Sequence, residues 1–365
     1  MRICRVFRGV MAFALISASS FPGTSAPAGA AHRIPGHPAI PERRVDMTFR
    51  SDPLVTLAGT LSLPVSTEGG PVPVVLILPG HGPWEGGGFP DLVARLARLG
   101  IASFEYDKRG IGQSLGSFDD RMEPITRDAA AAVAFLRTRP EIDPRRIAVL
   151  GMSQGGAVAP ALAAADGDIA AVVTLAGPAG KRGAMFLDSM REVLRRGGME
   201  AAAAQRVAVA AAPLMTAMSQ HAAPASLVPL KGAVAGALVE AGWNREQADG
   251  ALATLADPVV VSQFGVGTSE ALSALRVGVL AVYAAEDDIV LGTIAQPAAR
   301  AALAGNPDAT VIELPAVNHV FQQRSVDLAG RHSFSGPSVS DAMTLDVVSG
   351  WLARRLAPVS AMARD

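Results

Sequence analysis

Residues 149–156 read Val-Leu-Gly-Met-Ser-Gln-Gly-Gly (VLGMSQGG). An apolar run ending at Leu150 delivers one hydroxyl, Ser153, between Gly151 and Gly155, and an alanine-rich segment with helical character follows. A strand, a glycine-flanked serine and a helix in that order is the arrangement in which a sharp turn lifts a serine clear of a sheet. The pattern G-x-S-x-G is short, however, and a serine in an ordinary glycine-rich turn satisfies it equally well. The rest of the chain has to decide between nucleophile and turn residue.

Working outward, residues 72–78 (VPVVLIL) form a nearly continuous apolar run rich in β-branched side chains. That composition marks a strand buried on both faces. Further strands are expected at 101–106, 146–150, 170–175, 277–283 and 310–314, with two shorter ones at 46–50 and 57–63. Helical apolar spacing covers 89–99, 125–139, 154–165, 294–303 and 338–356. Strands alternating with helices predict an α/β fold with a mostly parallel sheet flanked by helices. The rhythm stops at residues 178–275, where alanines, scattered methionines and helical patterns at 199–211 and 246–255 replace buried strands. The expected organisation is a core at 46–177 and 276–365, interrupted by a helical cap or lid insertion at 178–275. No internal repeat is visible.

The first thirty residues read as a cleavable signal peptide, which implies a secreted or periplasmic protein. Arg2, Arg5 and Arg8 precede a short apolar stretch at 9–18, and Ala28-Gly29-Ala30 offers an A-x-A cleavage site. Residues 31–45, rich in proline and aperiodic, read as an extended lead. The chain has one cysteine, Cys4, inside the expected signal, so the mature chain is expected to have no disulfide, thiolate metal site or cysteine nucleophile. Net charge is −1, and about −4 without the three leader arginines. Neither value points to nucleic acid or an anionic membrane as partner. No run beyond the leader reads as long enough to span a bilayer, and stable membrane insertion is not expected.

In an open α/β sheet, reactive groups collect where strands end. After 72–78 comes Pro79-Gly80-His81-Gly82-Pro83. After 101–106 comes Asp107-Lys108-Arg109-Gly110, and after 146–150 comes Ser153. After 277–283 come Glu286, Asp287 and Asp288, and after 310–314 comes Asn318-His319. Serine, acid and histidine thus fall at strand ends in the chain order Ser…Asp…His. The chemistry asks for that trio. A hydroxyl needs an imidazole base, the imidazole needs an acceptor on its other nitrogen, and the tetrahedral oxyanion needs backbone N–H donors. The N–H of Gln154, opening the helix after the serine, is one natural donor. The loop after 72–78 should supply the second, from His81 in preference to Gly82, since Pro83 cannot donate. His319 is favoured over His32, His37, His221 and His332 because it alone follows a late strand. Asp107 and Arg109 read as structural ion-pairing groups.

Here the chain resembles the serine α/β-hydrolases of the esterase and dienelactone-hydrolase-like kind. The matching segments are LAGTLSLP, VVLILPGHGP, EYDKRGIGQS, RIAVLGMSQGG, VLAVYAAEDDIV and LPAVNHVFQ. They span the core from about residue 46 to 356. In such esterases the second segment often carries a Gly-Ser-Gly-Pro loop, where this chain has His81 in place of the serine. The resemblance implies the α/β-hydrolase fold, Ser153 as nucleophile, His319 as base and Asp287 as the acid among its acidic neighbours. The insertion matches the family's lid by position alone.

The expected function is hydrolysis of carboxylic esters through an acyl-enzyme, on a small-molecule acyl substrate. Thioester, amide or peptide, and β-lactam hydrolysis stay open, because the same trio serves them all. A non-catalytic binding module on a hydrolase fold is a further alternative. No cofactor and no metal are expected: the chain has no H-E-x-x-H, and its glycine-rich loops lack a phosphate-loop ending. Residues 178–275 carry no legible specificity code. Trp243 and Phe264 could line a substrate site or pack within the insertion. The oligomeric state is not legible.

Overall fold

A computed structural model describes residues 42–65, 70–327 and 330–357. The expected signal at 1–30, its cleavage site and most of the lead lie outside the described residues.

Eight strands form one sheet in the order β1-β2-β4-β3-β5-β6-β7-β8. They are β1 (Glu42–Asp52), β2 (Val55–Pro64), β3 (Val72–Leu78), β4 (Ala102–Tyr106), β5 (Ile142–Met152), β6 (Ala171–Leu175), β7 (Gly278–Glu286) and β8 (Ala309–Asn318). β1 and β2 pair antiparallel, β2 joins β4 antiparallel, and every pairing from β4 to β8 is parallel. All seven residues of β3 and all five of β4 and β6 are buried. That is why their sequences are apolar without alternation: helices cover both faces.

On one face lie α1 (Pro90–Arg98) and, near the C-terminus, α11 (Ala342–Leu356). Leu92, Leu96, Trp351 and Leu352 pack there on Val75, Ile77, Leu150 and Val173. On the other face lie α2 (Met122–Arg137), α3 (Gly155–Ala165) and α10 (Gly292–Leu303), which cover Val74, Leu76, Val149 and Val279. The α/β expectation therefore holds, and parallel crossovers account for the two covered faces.

Between β6 and β7, six helices occupy the described residues: α4 (Ala184–Arg196), α5 (Ala201–Ser219), α6 (Pro224–Glu240), α7 (Arg245–Leu255), α8 (Pro258–Phe264) and α9 (Thr268–Ala274). The first five enclose a core of their own, including Leu194, Val207, Leu214, Met215, Leu238 and Phe264, whereas Leu272 of α9 packs into the core of the sheet. Phe264 is part of that core and Trp243 packs against it. Helix α5 runs against the expectation that no further run could span a bilayer, because by length and composition it could. Its alanines dilute the hydropathy evenly, so no continuous bulky run stands out. In the fold its Ala204, Val207, Ala211, Leu214 and Met215 face is buried against the neighbouring helices.

Several boundaries differ from the sequence reading, and three bear on the sheet edges and the site. The expected lead at 31–45 runs into β1, which begins at Glu42 and pairs Arg43 with Leu63 and Val45 with Leu61. As an edge strand, β1 needs only a backbone partner, so its polar side chains hide the strand period. β8 continues beyond Leu314 to Asn318 through Pro315 and Ala316, across a register shift on β7 between Ala284 and Glu286. Proline and the bulge broke the pattern that sequence reading relies on. His332 belongs to a two-stranded hairpin, β9 (Arg324–Val326) with β10 (His332–Phe334), in a stretch where no strand was expected.

Candidate active site

Ser153 follows β5 directly, with φ at +54°. A non-glycine residue in the left-handed region costs of the order of 1–3 kcal/mol and persists only where its surroundings enforce it. They do so here: its N–H donates to Leu175 O at 2.8 Å, and its carbonyl accepts from Gly156 N at 2.8 Å. The flanking glycines relieve the crowding. A Cβ on Gly151 would stand 2.0 Å from Gly155 O, and one on Gly155 would stand 2.5 Å from Leu78 O. Met152 is buried in the sheet's hydrophobic core.

His319 stands immediately after β8, and Asp287 immediately after β7. Nε2 of His319 lies 2.9 Å from Ser153 Oγ, and its Nδ1 lies 2.8 Å from Asp287 Oδ2. Oδ1 of Asp287 accepts the N–H groups of Ile289 at 2.8 Å and Val290 at 2.9 Å. The two acidic neighbours do not reach the histidine: Glu286 pairs with Arg324 at 2.8 Å, and Asp288 is exposed. The turn holding His319 closes on itself, with Phe321 N–H donating to Asn318 O at 2.9 Å and Gln322 N–H to Asn318 Oδ1 at 2.9 Å. His221 and His332 are exposed on the insertion and the hairpin.

Beside Ser153 lies Gly80, whose missing Cβ would stand 3.3 Å from the serine Cβ. Of the two N–H groups that sequence reading left open in this loop, that of Gly82 is committed to Asp120 Oδ2 at 2.8 Å. The backbone N–H groups of His81 and Gln154 have no acceptor among the described residues. The loop therefore leaves the His81 N–H uncommitted on its side of the serine and the Gln154 N–H on the other.

These groups open onto a cleft of about 720 Å³, part of it open to solvent. His81, Ser153 and Gln154 line it together with Met122, Phe186 and Val266. Phe186 meets Phe264 edge to face, with ring centroids 5.8 Å apart. Concave, mostly apolar lining with a few convergent polar groups is the pattern of a small-molecule site. No grouping of His, Cys, Asp or Glu able to hold a metal ion occurs among the described residues.

Residues 69–229 match the family model described as serine aminopeptidase, S33. Among solved structures, the esterase Pf2001 of Pyrococcus furiosus superposes with a TM-score of 0.52 at 16% identity, covering 89% of this chain and 99% of that one. The α/β hydrolase GrgF of Penicillium sp. gives 0.52 at 17% identity, covering 87% and 100%. The chain has the α/β-hydrolase fold. Among curated proteins, the chain is 32% identical over 137 residues to a polyketide transferase of Penicillium sp., covering 36% of this chain and 45% of the relative. It is 36% identical over 78 residues to a thiohydrolase of Arthrinium phaeospermum, covering 21% and 25%. The matched regions thus span less than half the length of either curated relative.

Two residues of the candidate site escaped sequence reading: Lys108 and Asp120. Their neighbours behave as loop ties. Asp107 accepts the N–H groups of Gly86 and Gln113, each at 2.7 Å, and Arg109 binds Asp128 through two hydrogen bonds of 2.8 and 2.6 Å. Lys108, between them, turns inward instead. Its ammonium donates to Asp120 Oδ1 at 2.5 Å, Gly80 O at 2.6 Å and Gln154 Oε1 at 3.2 Å. Burial pushes the Lys108 pKa below its ordinary value against the pull of Asp120. Burial pushes the Asp120 carboxyl upward, but the His81 imidazole, the Lys108 charge and the Gly82 N–H outweigh it and leave the pKa lowered. A lysine directly after a strand, in Asp-Lys-Arg-Gly, was the available signal.

Proposed function

We propose that this chain is an exported carboxylic-ester hydrolase that works through an acyl-enzyme on Ser153. The observation that carries the reading is the hydrogen-bonded line from Ser153 Oγ through His319 to Asp287, opening onto an apolar cleft. As Oγ attacks the ester carbonyl carbon, His319 Nε2 takes its proton. The carbonyl oxygen, now negative, receives the N–H groups of His81 and Gln154, and each such donor is worth roughly 10²–10³ in rate. Collapse breaks the bond to the alcohol, whose oxygen takes the proton from His319. Asp287 stays ionised, fixes the tautomer and stabilises the imidazolium. Water, deprotonated by His319, then attacks the acyl carbon, and Ser153 leaves with that proton as the acid is released.

Ser153→Ala is expected to reduce hydrolysis of p-nitrophenyl acetate and butyrate to background while the thermal melt stays unchanged. Activity near that of the parent would reject the assignment. A fluorophosphonate adduct on Ser153 separates this reading from a non-catalytic binding module, which would show none. A second reading, acyl transfer or hydrolysis at a thioester, draws support from the relatives described as a thiohydrolase and a polyketide transferase. Matched ester, thioester, amide and lactam substrates with one acyl chain would rank these activities. Export rests on residues 1–30, and finding that segment intact on cytoplasmic protein would reject it.

A further inference from the structure

We infer that Lys108, held by Asp120, positions and polarises the peptide group that forms one arm of the oxyanion hole and ties the other arm to it. The inference rests on the acyl-enzyme reading above. The carbonyl that accepts from the Lys108 ammonium belongs to Gly80. The N–H of that same peptide group is His81's, the proposed oxyanion donor. A trans peptide is planar, with its C=O and N–H pointing to opposite sides. The described chain has no cis peptide bond. Anchoring the Gly80 oxygen on Lys108 therefore aims the His81 N–H away from the lysine.

The anchoring extends to both sides of that peptide. Asp120 accepts the next N–H, that of Gly82, at 2.8 Å and also contacts the His81 imidazole through Nδ1. The second arm enters the same cluster by its side chain: Gln154 accepts from Lys108 through Oε1, and its Nε2 donates to Asp120 O at 2.9 Å. Two donor residues more than seventy positions apart thus share one buried ion pair. Lys108 and Asp120 are 6% and 1% exposed.

Stability alone is a poor account of this cluster. A buried ion pair gains little net free energy over well-packed apolar side chains, because both charges lose their hydration. What an ammonium does supply is a charge on the carbonyl end of a peptide, which strengthens the hydrogen bond made by its N–H end. A donor held rigidly where charge develops needs no reorganisation during the reaction.

Lys108→Met removes the charge and keeps the length of the side chain. On p-nitrophenyl butyrate, kcat should fall about 10- to 100-fold, short of the loss of a whole donor. KM should stay within about threefold, because the ground-state carbonyl leans little on the oxyanion hole. The inhibition constant of a trifluoromethyl ketone, which forms an oxyanion on Ser153, should rise by the factor by which kcat falls. Asp120→Asn, nearly isosteric, should lower kcat in the same sense by a smaller factor and serves as the test should Lys108→Met not melt cooperatively. An unchanged kcat in a folded variant would overturn the inference alone. So would equal losses in ester binding and ketone binding, which indicate general disorder of the site. A parent chain that neither hydrolyses esters nor takes up a fluorophosphonate would overturn the acyl-enzyme reading, and this inference with it.

Discussion

Asp287 holds Nδ1 of His319 at 2.8 Å with one carboxylate oxygen, while its other oxygen is bound by two backbone N–H groups from the turn that follows. The carboxylate therefore cannot rotate away without breaking two further hydrogen bonds. Asp287→Asn should leave the geometry in place and present an amide that favours the wrong imidazole tautomer, lowering kcat by about 10³–10⁴. Asp288→Asn, at an exposed neighbour, should stay within about twofold of the parent, in line with ordinary surface substitutions. Steady-state ester hydrolysis by the two variants checks the contrast, and comparable losses would contradict it.

Gly155→Ala should damage both sides of the site at once. The new Cβ would press on the carbonyl oxygens of Leu78, at 2.5 Å, and Pro79, at 2.7 Å. Those residues lead into the Gly80–His81 loop, so relief of the clash displaces either the elbow or the loop. Overpacking of this kind typically costs about 1–3 kcal/mol. We expect a lowered thermal midpoint with a disproportionate loss of kcat, and an alanine variant with parental activity would refute the steric account of the glycine.

Glu105 makes stability depend on pH near neutrality. It is buried on β4, and burial lifts its pKa from 4.5 to about 7, although the Arg44 charge and the N–H groups of Phe89, Gly87 and Gly88 pull it back. A carboxyl whose folded pKa is raised stabilises the fold while it is protonated. That contribution is complete below about pH 4.5, erodes as pH rises towards 7 and is gone above it. The shift corresponds to an upper limit of about 3 kcal/mol. Glu105→Gln should accordingly raise the melting temperature at pH 8 and lose that advantage at pH 5. Melts across this range that shift by the same amount at every pH would argue against the burial account.

Phe186 is the aromatic side chain of the insertion that reaches the cleft, braced there by Phe264. Phe186→Ala should lengthen the apolar end of the cleft and move the preference among p-nitrophenyl esters towards longer acyl chains. A methylene accommodated in an apolar pocket is worth about 1 kcal/mol, enough to change relative kcat/KM several-fold per step. An unchanged chain-length profile would place the acyl group elsewhere.

The parallel core was legible because burial on both faces writes itself directly into sequence, as in the unbroken apolar run of β3. Ser153, Asp287 and His319 were legible for a related reason: each follows within a few residues of a segment whose strand character shows in the sequence. What failed to show depended on tertiary partners. β1 hides its period because an edge strand takes its order from the backbone of β2. β8 outruns its apolar pattern through a proline and a bulge. Helix α5 spreads its hydropathy over small alanines. Lys108 and Asp120 look like surface charges in a loop sequence, and only the fold turns them towards each other beneath Gly80 and Gln154. Phe264, a candidate for substrate lining on composition alone, instead packs against Phe186 inside the helical layer.

The strand order makes the site depend on one edge of the sheet. β8 pairs with β7 alone and forms one margin of the sheet, and it delivers His319. The Ser153 turn is held by β5, β6 and α3, yet its hydroxyl has no base unless the margin strand, more than 150 residues later in the chain, is paired with β7. A nascent or partly unfolded chain is thereby a serine without a partner. On the acyl-enzyme reading, loss of the β7–β8 pairing alone takes His319 from Ser153, so opening of that edge would silence ester turnover before the rest of the sheet gave way.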